Sequence, residues 1–176
     1  MSVWRHAQAI LLLPTTVVVV IPAIIVWRSG ANIELVPALL GAVLIGLGLV
    51  LVVWTVKLFV TVGEGTLAPW DPTSRLVVRG PYRHVRNPMI TGVACALAGE
   101  AALLGSLALL IWLGGFVAVN AIYFPLVEEP GLRRRFGDNY DVYRANVPRW
   151  LPRLRPWNAT AAQAAAPGRR SPPQSS

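Results

Sequence analysis

Twenty-eight consecutive residues, Leu35–Val62, carry a single charged side chain, Lys57. Coiled as a helix at 1.5 Å per residue they reach about 42 Å, beyond the roughly 30 Å of a bilayer's hydrocarbon core. Such a helix spans with tilt and then projects past the membrane. Gly41, Gly46 and Gly48 give it places where another helix can approach closely. Three further apolar runs occupy residues 7–27, 88–104 and 106–127. The first follows a short basic start, Arg5-His6, as a signal peptide would. It is too long for one, though, and no small-residue cleavage site follows Trp27, so it reads as a retained helix bent at Pro14 and Pro22. Only Gly105-Ser106 separates the last two runs, which predicts a tight antiparallel hairpin. The expected fold is therefore an all-α integral membrane domain of four transmembrane helices, one domain over residues 1–157. A composition of 55% hydrophobic and 14% charged residues agrees.

With four spans, both termini and the 63–87 loop share one side of the membrane. That side collects 15 of the 16 Lys and Arg residues and leaves Arg28 alone on the other. The positive-inside rule places it in the cytoplasm, so the protein is expected to be multi-pass with cytoplasmic termini. The formal charge of +8 then needs no nucleic acid to explain it. Cys95 is the only cysteine, which excludes an intrachain disulfide and a cysteine metal cluster, and no metal is expected. Beyond the fourth span, Leu132, Phe136, Tyr140, Tyr143 and Val147 recur at helical spacing with Arg133, Arg134, Arg135 and Arg144 beside them. This predicts a helix over 131–146 lying at the cytoplasmic interface. Pro148, Pro152 and Pro156 prevent a long helix after it, and the Ala/Pro/Ser/Gln-rich 158–176 predicts a disordered tail. Glu100 is expected to snorkel to the far interface, and Asn120 to hydrogen-bond between helices.

Three polar clusters fall on the basic side. The first, "GEGTLAPWDP" at 63–72, offers Gly63 and Gly65 for close backbone approach to a ligand, or simply a helix-ending turn. The second, "GPYRHVRNPMITG" at 80–92, sets Asn87 as a cap and Pro88 at the first turn of a helix. A helix N-terminus is electropositive, and Arg83 and Arg86 beside it make an anion site. The plainer reading is that these arginines enforce topology. The third cluster is Glu128-Glu129, whose adjacent carboxylates at a membrane boundary must be solvated, paired or bound to a cation. The hairpin brings these acids to Arg86 and Asn87. The pairing is either a structural ion pair or the two halves of a pocket for a zwitterion.

The second and third clusters, followed by "EEPGLRRRFGDNYDVYRANVPRWLP", resemble the isoprenylcysteine carboxyl methyltransferase and phospholipid methyltransferase superfamily of integral membrane enzymes. The resemblance covers about residues 60–157. It implies S-adenosylmethionine as cofactor, membrane lipids as surroundings and an amphiphilic methyl acceptor as partner. Arg86, Pro88 and Gly92 match the family's signature, Glu128 and Glu129 its acidic pair, and Gly63 and Gly65 its G-x-G. The cofactor-binding set implied is these residues with Tyr82, His84 and Asn87; the implied catalytic set is Arg86, Arg144 and Glu129. Asn87 stands where histidine is usual and Ile90 where tyrosine is usual, so an ionisable ring and a hydroxyl are missing. Two other readings compete: a nicotinamide-dependent reductase resembling the sterol reductases, and a non-enzymatic scaffold whose arginines hold lipid headgroups.

Overall fold

The computed structural model describes residues 15–62 and 76–158. Residues 7–14 of the first apolar run, the 63–72 cluster with Gly63 and Gly65, and residues 159–176 lie outside them. All regular structure among the described residues is helical. A π-helical turn, Thr16–Val20, leads into α1 (Ile21–Ser29), followed by α2 (Leu35–Val62). A 3₁₀ turn, Gly80–Arg83, precedes α3 (Pro88–Leu103) and α4 (Leu107–Tyr123). A second π-helical turn, Phe124–Glu128, runs into α5 (Glu129–Phe136), and α6 (Asp138–Asn146) follows.

Each π-helical turn ends two residues before a proline, Pro22 and Pro130. Proline lacks the N–H that would close the preceding turn, and its ring clashes with the carbonyl four residues back. Widening the turn relieves both: Ile21 N–H donates to Thr16 O and Glu129 N–H to Phe124 O, five residues apart. The chain therefore stays helical from Leu107 to Phe136, straight through Pro125 and Pro130. Here the expectation of a span ending at 127 and one helix over 131–146 needs correction. The fourth apolar helix continues to Phe136, and the break falls at Gly137, where φ is +52°. Glycine alone reaches that conformation without strain.

Helices α2 and α3 cross antiparallel with almost no side chain between them. A Cβ on Gly48 would lie 2.5 Å from Gly92 O, and one on Gly41 would lie 2.5 Å from Gly99 O. Gly41 and Gly48 continue to Thr55, which is fully buried; these three, seven residues apart, are the buried positions among the described residues of α2. Leu39, Leu40, Val43, Leu47 and Val50 instead point outward, each more than half exposed. Small residues inside and large apolar ones outside is the packing expected where the solvent is itself hydrocarbon. Among the described residues, two helical runs, Leu35–Leu58 and Leu107–Phe136, are long and apolar enough to cross a bilayer. Thr16–Ser29 and Pro88–Leu103 are shorter apolar helices, the latter about 24 Å long.

At one end of the bundle, Gly30 closes α1 with φ +77°, and Asn32 N–H donates to Leu104 O at 2.9 Å. Ser106 caps α4 by accepting from Leu109 N–H at 3.4 Å. The described polar clusters, residues 80–92 and Glu128-Glu129, gather at the opposite end.

Candidate functional site

That opposite end has its own small core. Tyr140, Tyr143, Val147 and Trp157 are buried together, with Leu76, Val78, Leu132 and Phe136 packed against them. This is the apolar stripe of the C-terminal region, but it faces protein rather than the membrane interface; Tyr140 and Val147 are each 2% exposed. The apolar stripe expected to lie at the interface is thus packed on protein. Because α5 and α6 are separate, both can lean onto one core, and the chain after α6 supplies Trp157 as a lid over it.

The C-terminal segment clasps the turn before α3. Arg86 N–H donates to Pro148 O at 2.9 Å, Arg153 N–H to His84 O at 3.0 Å, and Trp157 N–H to Arg83 O at 2.9 Å. Side chains reinforce the clasp. Arg83 Nε donates to Trp157 O at 2.8 Å, and Tyr143 Oη donates to Tyr82 O at 2.7 Å. His84 Nδ1 lies 2.7 Å from Arg153 O; a carbonyl only accepts, so that nitrogen carries the proton. Thus Tyr82, Arg83 and His84 fix the turn from which Arg86 projects.

Glu129, 5% exposed, is the hub of the site. Its Oε1 accepts from Arg86 Nη1 at 2.9 Å and from Arg149 Nε at 2.7 Å. Its Oε2 has Arg144 Nε at 3.9 Å. Arg86 Nη1 also lies 3.5 Å from Tyr140 Oη, at the long limit of a hydrogen bond. Arg86 Nε is buried and has no partner among the described residues. Three guanidiniums around one carboxylate leave the site cationic, with the buried Arg86 Nε unspent. Burial pushes the Tyr82 and Tyr143 hydroxyls well above the usual phenol range and pushes Tyr140 up, and the Glu129 carboxylate adds to the effect on Tyr140. All three hydroxyls are therefore neutral donors at physiological pH.

The other candidates are placed less centrally. Glu128 does not join this cluster: it is half-buried, and the described charge that acts on it is Arg135, seven residues further along the chain. Asn87 stands at the N-terminus of α3, but its side chain makes no capping bond; its carbonyl accepts from Thr91 N–H and Oγ1, both at 3.1 Å. Pro88 is buried at the first helical position. Gly92 faces Gly48 and Val52 at the α2–α3 crossing, where close packing accounts for it. Gly63 and Gly65 lie outside the described residues. Arg149 and Tyr140 were not anticipated. The prolines around Arg149 announced non-helical chain, yet nothing local revealed that this chain folds back onto Glu129.

No curated protein and no solved structure matches the chain. The sequence profile of the family described as phospholipid methyltransferase matches residues 36–139. The matched region runs from the start of α2 into α6 and contains the α2–α3 crossing, Arg86 and the Glu128-Glu129 pair. Covering more than half of the 176 residues, it shows that the chain belongs to the phospholipid methyltransferase family.

Proposed function

We propose that the protein uses S-adenosylmethionine to methylate a lipophilic or amphiphilic acceptor in the membrane, either an isoprenylcysteine-like carboxylate or a phospholipid amine. Family membership supplies methyl transfer; the observation that carries the finer reading is the Arg86–Glu129 contact with Arg86 Nε left over. The residues fit the cofactor's charges. An unspent guanidinium donor suits its carboxylate, and Glu128, half-buried and outside the arginine cluster around Glu129, suits its ammonium. When bound, the cofactor supplies an electrophilic methyl group on a sulfonium.

The chain's own contribution is positioning. Glu129 holds Arg86 through Oε1 and keeps Oε2 for a ligand. Tyr82, His84, Asn87 and Pro88 shape the turn that aims Arg86, and Gly63 and Gly65 would let backbone approach the cofactor. Arg144, half-exposed at the rim, would orient the acceptor's anionic group. In this reading the domain spans residues 1–157 with four membrane helices, and the charge bias sets both termini in the cytoplasm. The cofactor then arrives from water and the acceptor sideways from lipid.

Incubating the protein in nanodiscs with radiolabelled S-adenosylmethionine and a total lipid extract should yield a labelled lipid. Arg86→Ala should abolish labelling while the protein stays inserted and monodisperse. Full labelling by that variant, or no calorimetric heat from the cofactor, would overturn the proposal.

A further inference from the structure

Glu100 lies twelve residues beyond Pro88 on α3, about 18 Å along the helix from the arginine site. It does not snorkel freely, as its sequence position suggested. It lines a groove of about 600 Å³ between α1, α2 and α3, with Val18, Val26, Trp27, Ile45 and Leu103 among its neighbours. Every described lining residue other than Glu100 is hydrophobic. Its Oε2 is sealed from solvent and has no hydrogen-bond partner among the described residues.

An unpaired carboxyl oxygen held against hydrocarbon is costly, and native structures retain one only where something answers it. The volume is that of a small-molecule site. No ion pair joins Glu100 to a cation among the described residues: Arg28, at this end of the bundle, is exposed and makes none with it, and the arginines of the site lie at the other end. We propose that this groove binds the chain of an amphiphile from the leaflet opposite the arginine site. The occupant's hydroxyl or amine head donates a hydrogen bond to Glu100. The walls select a single apolar chain, and the carboxyl selects a head that can donate. This site is separate from the methyl-transfer site and stands without it.

The test uses three diazirine-bearing probes with the same chain: a long-chain alcohol, the corresponding amine and the corresponding methyl ester, which has no donor. Each is photolysed with the full-length protein in nanodiscs, and adducts are mapped by peptide mass spectrometry. Adducts from the alcohol or the amine should concentrate on residues 18–27 and 103–104, at least ten-fold above the ester. Stronger labelling by the amine would identify a charged head, and equal labelling a neutral hydrogen bond. Glu100→Leu should erase the preference over the ester while methyl transfer continues. Glu100→Gln, which preserves the side chain's size and an acceptor, should keep the alcohol and lose any added preference for the amine. Equal labelling by ester and alcohol, labelling spread evenly over the outer faces of α2 and α4, or a preference that survives Glu100→Leu would overturn the assignment.

Discussion

Removing the carboxylate of Glu129 should destabilise the fold more than removing any one of its cations. Glu129 Oε1 answers two guanidiniums at 2.9 Å and 2.7 Å, and the side chains of Arg86 and Arg149 are 11% and 26% exposed. In Glu129→Ala both lose their anion, and Arg86 keeps only the long contact to Tyr140. Leaving a buried charge uncompensated costs about 3–5 kcal/mol. Arg149→Ala removes one charge-assisted bond but leaves Glu129 paired to Arg86. Its cost should be about 1–2 kcal/mol, reduced from the value for a buried bond by solvent screening. Arg144→Ala breaks a 3.9 Å contact to a half-exposed guanidinium and should cost under about 1 kcal/mol. The order Glu129, then Arg149, then Arg144 can be read from detergent-micelle unfolding of the three variants, without any ligand. A Glu129→Ala variant no less stable than Arg144→Ala would refute the claim that this carboxylate organises the site.

The glycines of the α2–α3 crossing give a second contrast. Gly48→Ala and Gly99→Ala should each lower stability by about 1–3 kcal/mol, because their Cβ atoms would meet backbone at 2.5 Å and 2.6 Å. Gly46→Ala, with open space around it, should be neutral or slightly stabilising in the same unfolding assay. At Gly137, φ +52° makes alanine cost about 1–3 kcal/mol by the same measurement, although nothing lies close enough to clash. Alkaline titration at 295 nm should show Tyr82, Tyr140 and Tyr143 remaining protonated until unfolding. Their raised folded values mean that the folded state binds more protons, so stability should be intact below about pH 10 and fall as pH rises above it. Tyr143→Phe should cost about 1–2 kcal/mol by leaving the buried Tyr82 carbonyl without its donor.

Local composition was enough to declare a helical membrane chain. The apolar length of Leu35–Val62 with its single charge, the Gly105-Ser106 break and the Pro88 start are each written in a few adjacent residues, and each lies where the structure puts it to within a residue or two. The meeting of Arg86 with Glu129 was also legible, because two antiparallel helices joined by a short turn must bring their outer ends together. What local residues could not fix was competition between distant parts. The fourth apolar run ended at residue 127, yet a π-helical turn carries the helix on through Pro125 and Pro130 to Phe136. The stripe from Leu132 to Val147 declared an apolar face but not its occupant. Trp157, Val78 and the turn at 80–83 took the place a membrane surface was expected to fill. Arg149 reaches Glu129 only because backbone hydrogen bonds draw the C-terminal segment across His84 and Arg83. Periodicity and charge are properties of neighbours along the chain, so they set which faces must be buried. Which surfaces then meet depends on close contacts between segments tens of residues apart, and those exist only once the chain has folded.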